Sequence, residues 1–161
     1  MGDKRDEHQT VVTVFGVLKR QERILMIERG RPPDQGRRTV PGGHKRLGES
    51  LEDACRREIR EESGLELGVL KSLGFMEVQV AGETRDFISF YFLAESFSGS
   101  CRSGPEGQLA WMTRAEALAH PETHPAFGAL AAHFFAGRPF AARASVAGPG
   151  LQCWSFQIED L

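Results

Sequence analysis

The order of the elements predicted from the sequence indicates an α+β domain, in which helices flank a mixed β-sheet. Runs of apolar, β-branched residues predict several strands, and one acidic segment with apolar residues at helical spacing predicts an amphipathic helix. The length of 161 residues suits a single globular domain. The elements follow one another as β, β, α, β, β, β, α, which is typical of a mixed sheet covered by helices.

The chain begins with a predicted β-hairpin. Residues 11–18 are apolar and β-branched, and residues 24–27 give the second strand after a polar turn. Residues 30–38 contain prolines and glycines with few apolar residues, so we expect an exposed loop there. A short strand at residues 39–40 is then expected to end at the Pro-Gly-Gly sequence of residues 41–43.

The strongest helix prediction lies between Ser50 and Gly64. Ser50, followed three residues later by Asp53, resembles the start of a capping box. Gly64 supplies the left-handed stop that ends many helices. One face of the helix carries the apolar residues Leu51, Ala54, Cys55 and Ile59.

The second half of the chain is predicted to return to strands and to end in two helices and a tail. Strands are expected at residues 69–80, 87–93 and 108–112, a short helix from an N-cap at Thr113 to residue 118, and an apolar helix at residues 125–135. Residues 139–161 have the least regular pattern, and their structure stays open.

Composition excludes several classes of protein. The apolar content of 40% and the charged content of 26% are those of an ordinary folded protein. A net charge of −2 argues against a protein whose main task is to coat nucleic acid or an acidic membrane. The odd number of cysteines, without a C-x-x-C pair, predicts reduced thiols and a cytoplasmic location. Neither the polar residues 1–10 nor the interrupted apolar residues 126–142 predict a signal peptide or a membrane span.

The candidate chemistry lies in three glutamates of the predicted helix. Glu58, Glu61 and Glu62 are spaced i, i+3 and i+4, so their carboxylates share one face, about 5–6 Å apart at Cβ. Like charges at this distance raise one another's pKa. A hard divalent cation such as Mg²⁺ relieves the repulsion, because it prefers oxygen ligands and completes its shell with water and phosphate. On spacing alone, the alternative is a solvated helix face neutralised by Arg57 and Arg60.

A longer pattern surrounds these carboxylates, and it reads Gly43-x5-Glu49-x7-Arg57-Glu58-Ile59-x-Glu61-Glu62-x-Gly64-Leu65. This string resembles the signature of the Nudix hydrolase family at every defined position, and the flanking elements extend the resemblance over about residues 11–136. The resemblance implies an α/β/α sandwich with a Nudix-type mixed sheet and a catalytic loop-helix-loop at residues 43–65.

The resemblance also implies a division of the chain. We expect a polar tail at residues 1–10, a Nudix hydrolase domain at residues 11–138 and a C-terminal extension at residues 139–161. For the extension, an added edge strand, a cover over the substrate and a dimer contact all stay open.

Carried over by position, the family's metal-binding carboxylates are Glu58, Glu61 and Glu62, which would bind Mg²⁺, or Mn²⁺ in its place. Glu58 also matches the position that serves several members as general base. Glu106 lies in a turn-rich loop, Gly104-Pro105-Glu106-Gly107-Gln108, followed by Trp111. This loop resembles the one that delivers a further metal-binding carboxylate in MutT-type Nudix enzymes. Glu106 is therefore the second candidate for the general base, with an idle solvated loop residue as its alternative.

The remaining positions of the signature imply structural roles. Glu49 and Arg57 match the pair that ties the loop to the helix. Gly43 allows a tight loop and close backbone approach, and Gly42 can offer its carbonyl to the metal. Gly64 caps the helix.

The reaction implied by the resemblance is hydrolysis of a nucleoside diphosphate linked to another group. Motifs that mark the ADP-ribose, NADH and coenzyme A subfamilies are absent, so the chain looks most like a MutT-type nucleoside triphosphate pyrophosphohydrolase, which releases a nucleoside monophosphate and pyrophosphate. Two alternatives remain. One is hydrolysis of ADP-ribose, a dinucleoside polyphosphate or an RNA 5′-triphosphate end. The other is a non-catalytic nucleotide sensor, against which the retained carboxylates argue.

Four residues are candidates for substrate binding. Arg29 and Arg31 flank the loop before the signature, and their forked donors suit phosphate groups, with a solvated loop position as the alternative for each. Phe90 offers a ring for base stacking, and His124 a hydrogen bond to a base; a core position and a helix cap are their respective alternatives. The chain has no Asn, whereas MutT-type enzymes read oxidised guanine with an Asn near the last helix, so the base stays open. The expected partner is a small nucleotide rather than a membrane or nucleic acid, and a homodimer stays open.

Overall fold

The computed structural model describes residues 8–161, so most of the predicted 1–10 tail lies outside the described residues. The helices are α1 (Leu51–Ser63), α2 (Arg114–Ala119) and α3 (Pro125–Ala136), and a 3₁₀ turn spans Pro149–Leu151. The strands are β1 (Gln9–Arg20), β2 (Arg23–Arg29), β3 (Arg38–Thr39), β4 (Gly42–His44), β5 (Glu66–Leu67), β6 (Leu70–Val80), β7 (Arg85–Ala94), β8 (Phe97–Ser98), β9 (Gly107–Thr113), β10 (Phe140–Ala147) and β11 (Cys153–Asp160).

A mixed sheet organises the fold. Its main path runs β11-β10-β6-β7-β1-β2-β3, with β4 paired to β1 and β9 paired to β2. β1 is parallel to β7 and β10 is parallel to β6, whereas the other pairs are antiparallel. The long strand β1 joins the two parts of the sheet, because most of it pairs with β7 and β4 while Lys19 and Arg20 at its end pair with β2.

Helices cover both faces of this sheet, which confirms the predicted α/β/α class. Alternation along β1 sends Val14 and Leu18 towards the apolar face of α1, where they pack around Ile59. Val17 points to the opposite face and joins a second core with Phe134 of α3. None of the helices within residues 8–161 has the length and apolar character that a membrane span requires.

Helix α1 begins and ends where its local sequence predicts. The Ser50 side chain accepts a hydrogen bond from the Asp53 backbone N–H at 3.0 Å. At the other end, Gly64 adopts φ of 76°, and its N–H donates to the Arg60 carbonyl at 2.9 Å. These caps fix the length of the helix that carries the acidic residues.

Two segments differ from the sequence predictions, and a third takes one of the forms that the sequence left open. Residues 42–44 form strand β4 instead of a turn, because their backbone pairs with β1, from Phe15↔Gly42 to Thr13↔His44. The short sheet of β5 and β8 was not predicted. The C-terminal extension forms the β10–β11 hairpin, which extends the main sheet beyond β6. Strands β4, β5 and β10 each pair with a strand that is distant in the chain, so local patterns carry little signal there.

The junction between β6 and β10 requires glycine at position 74. Gly74 adopts φ of +135°, and a Cβ there would lie 1.8 Å from the Phe140 carbonyl oxygen. We expect Gly74→Ala to lower the free energy of unfolding by about 2 to 4 kcal/mol, through backbone strain and overpacking. Gly82 is the matched control, because it has φ of +82° and no atom lies within 4 Å of the position that a Cβ would take.

Urea unfolding followed by circular dichroism measures both variants. We expect Gly82→Ala to cost only about 1 kcal/mol, from the left-handed backbone alone. Equal losses in the two variants would contradict a role for the close approach to Phe140.

Candidate active site

A cleft of about 200 Å³ lies beside β1, β4 and α1. It brings together most of the residues that the sequence singled out. The lining comprises three carboxylates, two arginines, two glycines and four further residues: Glu58, Glu62, Glu106, Arg29, Arg31, Gly42, Gly43, Thr13, Phe15, Ile27 and His44. Acidic and basic side chains therefore face the same space.

The carboxylate of Glu58 is held between Arg57 and the backbone of β4. Arg57 Nη1 donates to Glu58 Oε1 at 2.6 Å. A Cβ on Gly43 would lie 2.5 Å from Glu58 Oε2, so any larger residue would displace this carboxylate. Gly43 thus provides the close backbone approach that the sequence predicted. The side chain that this backbone approaches is Glu58, which is a catalytic candidate.

Glu62 is a half-buried carboxylate that lines the cleft. Its Oε2 accepts a hydrogen bond from the Gly42 backbone N–H at 2.8 Å. Burial is the main reason why the pKa of Glu62 lies at about 8 instead of 4.5; the Gly42 donor opposes this effect, and the Glu58 charge adds to it. A cation bound beside Glu62 would favour the charged carboxylate and release the proton.

The pair of Glu49 and Arg57 ties the loop after β4 to helix α1. Arg57 Nε and Nη2 donate to the two carboxylate oxygens of Glu49 at 2.5 and 3.0 Å, and Nη2 also donates to the His44 carbonyl at 2.9 Å. The Arg57 side chain is only 14% exposed. Its hydrogen bonds hold the pKa of Glu49 at about 2, below the ordinary 4.5, so Glu49 stays charged.

Glu61 lies at the side of this cluster and does not line the cleft. Its Oε2 is 3.3 Å from Arg57 Nη1, and its Oε1 is 3.5 Å from Arg46 Nη2. Glu61 is therefore held by two guanidinium groups, and its carboxylate is about half exposed.

Glu106 reaches the cleft from the loop before β9. Its carbonyl accepts a hydrogen bond from the Gly30 N–H at 2.9 Å, which fixes this loop against the end of β2. Arg31 Nη1 lies 3.4 Å from Glu106 Oε1 across the cleft. Arg29 lines the same space, and its Nε donates to the Pro33 carbonyl at 3.1 Å.

The donor set of the cleft fits a hard divalent cation. The candidate ligands are carboxylate oxygens, which Mg²⁺ and Mn²⁺ accept, and no cysteine lines the cleft. Across residues 8–161, no three His, Cys, Asp or Glu side chains already converge as a closed metal cage. Mg²⁺ does not need such a cage, since it keeps several waters and uses one or two carboxylates.

Two predicted substrate-binding residues lie outside the cleft lining. Phe90 packs against Phe75, with ring centroids 6.3 Å apart, and joins the core on the α1 side of the sheet. His124 is the N-cap of α3, where Nδ1 accepts the Ala126 N–H at 3.1 Å. Its ring also packs edge-on against Trp154. Each residue thus occupies the core or cap position that was its alternative, and its role in substrate binding stays a prediction.

The cleft includes residues that the sequence reasoning did not select. Phe15 lines it and stacks on Tyr91 at a centroid distance of 5.3 Å, and Thr13 lies two residues earlier on the same face of β1. Alternation along β1 placed these two residues on one face. The sequence could not show that this face borders the acidic helix turn, because β4 makes that connection.

Comparison with known proteins identifies the family. The model of the NUDIX domain matches residues 7–133, which is most of the chain. The protein therefore belongs to the Nudix hydrolase family, and the resemblance found in the sequence is confirmed.

Similar proteins include an ADP-ribose pyrophosphatase of Methanocaldococcus jannaschii, 32% identical over 62% of this chain and 59% of that protein. An oxidized purine nucleoside triphosphate hydrolase of Danio rerio is 32% identical over 55% of this chain and 57% of that protein. The chain thus spans less than two thirds of the length of these two relatives. A MutT protein structure from Bacillus halodurans has a TM-score of 0.80 at 21% identity, covering 92% of this chain and 97% of that one, which shows the shared fold.

Substitution of the two glycines of β4 is expected to affect different properties of the protein, catalysis at Gly43 and stability at Gly42. The three atoms nearest to a Cβ on Gly43 all belong to the carboxylate end of Glu58, whereas a Cβ on Gly42 would lie 2.1 Å from the Val14 carbonyl oxygen. We expect Gly43→Ala to reduce catalytic turnover at least tenfold, as a misplaced catalytic group does, with little change in melting temperature. We expect Gly42→Ala to lower the melting temperature. Differential scanning calorimetry and turnover assays measure both, and a folding defect in Gly43→Ala would contradict this assignment.

Glu62 should make the stability of the metal-free protein depend on pH. The folded state binds the Glu62 proton more tightly than the unfolded state does. The resulting contribution to the free energy of unfolding is therefore fully present below about pH 4.5 and is lost as pH rises through about 8. We expect wild type to lose stability relative to Glu62→Gln across that interval. Urea unfolding of both proteins in EDTA between pH 5 and 8 measures the difference, and parallel curves would show that burial does not raise this pKa.

Proposed function

We propose that this protein is a magnesium-dependent pyrophosphohydrolase, which converts a nucleoside triphosphate and water into a nucleoside monophosphate and pyrophosphate. The observation that carries the proposal is the cleft, in which the carboxylates of Glu58, Glu62 and Glu106 face the guanidinium groups of Arg29 and Arg31. A nucleotide that binds together with a metal ion needs both kinds of side chain at one site, because carboxylates bind the metal ion and guanidinium groups bind the phosphates.

The residues that would hold Mg²⁺ are Glu58, Glu61 and Glu62, with Glu106 and the Gly42 carbonyl as further ligands. When bound, the ion supplies charge neutralisation for the phosphates and a lower pKa for the attacking water. The crowded carboxylates support this role, because burial and the Glu58 charge hold Glu62 in its protonated form without a cation.

Glu58 is the proposed general base. Arg57 binds one of its oxygens at 2.6 Å and fixes the orientation of the carboxylate that borders the cleft. Glu58 accepts a proton from the attacking water as the water oxygen bonds to phosphorus, and the anhydride P–O bond breaks to release pyrophosphate. Glu106 is the second candidate for this proton transfer.

Arg29 and Arg31 are the proposed phosphate-binding residues. Both line the cleft, and guanidinium groups bind phosphate oxygens through two parallel hydrogen bonds. Arg31 is well suited to move, because its contact with Glu106 is exposed and long at 3.4 Å. Phe15 replaces Phe90 as the proposed stacking residue for the base, since its ring borders the cleft.

ADP-ribose is the second candidate substrate. It is favoured by the similarity to the M. jannaschii ADP-ribose pyrophosphatase, whereas the D. rerio relative favours an oxidised purine triphosphate. Both substrates contain a pyrophosphate link that the same carboxylates could attack, so the products distinguish them. Triphosphates yield pyrophosphate, and ADP-ribose yields AMP and ribose phosphate.

A substrate panel tests the proposal. Standard and oxidised nucleoside triphosphates, ADP-ribose, a dinucleoside polyphosphate and 5′-triphosphate RNA are assayed with Mg²⁺ and with EDTA. We expect turnover only with Mg²⁺, pyrophosphate as product, and a loss in kcat/KM on the order of a hundredfold or more in Glu61→Gln. Glu52→Gln, an exposed change at the start of the same helix, should keep wild-type turnover.

Two results would contradict the proposed metal site or the proposed catalysis. Full Mg²⁺-dependent activity in Glu61→Gln would remove Glu61 from the metal site. Nucleotide binding without cleavage of any compound in the panel would instead favour the non-catalytic sensor.

A further inference from the structure

Arg46 contacts the acidic cluster from the outside, through Glu61. It lies in the loop between β4 and α1, and its Nη2 is 3.5 Å from Glu61 Oε1. The other oxygen of Glu61 faces Arg57 Nη1 at 3.3 Å. Each oxygen of this candidate metal ligand therefore has a cationic neighbour of its own.

The two arginines differ in how firmly they are held. Arg57 is 14% exposed and is bound by Glu49, Glu58 and the His44 carbonyl, so it cannot leave without breaking the loop. The Arg46 side chain is 63% exposed, and within residues 8–161 its guanidinium has only Glu61 as a hydrogen-bond or ion-pair partner. Arg46 is therefore the neighbour that can move.

The backbone of Arg46 is nevertheless fixed. Its N–H donates to Glu49 Oε2 at 2.8 Å, and its carbonyl accepts the Glu49 N–H at 3.3 Å. Because Glu49 is bound by Arg57 of α1, the root of the Arg46 side chain keeps its position relative to Glu61. Because the backbone of Arg46 is fixed, its mobile guanidinium stays near Glu61 and has a high local concentration at Glu61 Oε1.

We propose that Arg46 is a positioning residue that competes with the divalent cation for Glu61. In the metal-free protein its guanidinium neutralises the outer oxygen of Glu61, and the cation must displace it. The inference rests on the proposed metal site. The contact is exposed and long, so its strength is modest and the exchange is reversible. After displacement, Arg46 also repels the cation, which further weakens metal binding.

Binding of Mn²⁺ alone to the nucleotide-free full chain tests this inference, with free Mn²⁺ measured by electron paramagnetic resonance. We expect Arg46→Ala to lower the dissociation constant for Mn²⁺ about two- to tenfold, since it removes both the competitor and a nearby positive charge. Arg46→Lys, which keeps the charge, should stay within about twofold of wild type. Lys45→Ala is the matched control, because Lys45 is the neighbouring, partly exposed cation and its Nζ donates to the Arg46 carbonyl.

A double-mutant cycle identifies the partner. In a Glu61→Gln background, Arg46→Ala should no longer raise Mn²⁺ affinity, because the contested carboxylate is gone. Unchanged or weaker Mn²⁺ binding in Arg46→Ala, or an equal gain in Lys45→Ala, would overturn the inference while leaving the proposed function intact. Wild-type Mn²⁺ affinity in Glu61→Gln would overturn the inference and would also remove Glu61 from the proposed metal site.

Discussion

The guanidinium group of Arg57 is the contact on which the candidate site depends. It joins the Glu49 carboxylate, the His44 carbonyl and the Glu58 carboxylate in one largely buried cluster. These hydrogen bonds connect the end of β4 and the following loop to the middle of helix α1. A planar group with five donors can make all of these contacts at once, whereas an ammonium group could not hold the same geometry. The Glu58 carboxylate is therefore oriented before any ligand arrives.

The negative charges of the carboxylates around Arg57 are only partly neutralised in the metal-free protein. Glu62 is half-buried near Glu58, and its raised pKa reflects the unfavourable burial of a second negative charge. Arg31 and Arg46 offer partial neutralisation at the edges of the cluster through exposed contacts that are individually weak, and the positive charge of Arg29 opposes the rise in the pKa of Glu62. Cations and phosphates together would satisfy both sets of charges, which is why the proposed chemistry follows from the arrangement as a whole.

Much of the local structure could be predicted from the sequence because its causes are local. The caps of α1 lie in Ser50 and Gly64, and its apolar face follows the helical repeat. Phe90 and His124 show the opposite case. An aromatic residue in a strand and a histidine before a helix each have two chemically reasonable roles, and only their packing, against Phe75 and at the N-terminus of α3, distinguishes them. Phe15 borders the cleft for the same kind of reason, since strand alternation defines a face but not what that face meets.

By itself, the sequence determined the acidic helix, its ends, and the resemblance that pointed to the Nudix family, since these depend on residue types at fixed short spacings. The tertiary structure alone decided that residues 42–44 pair with β1, that the C-terminal extension joins the sheet at β6, and that Thr13 and Phe15 line the same cleft as Glu62. Those relations join residues far apart in the chain. They follow from the backbone pairing and the closure of two cores around a shared sheet, which no local pattern encodes.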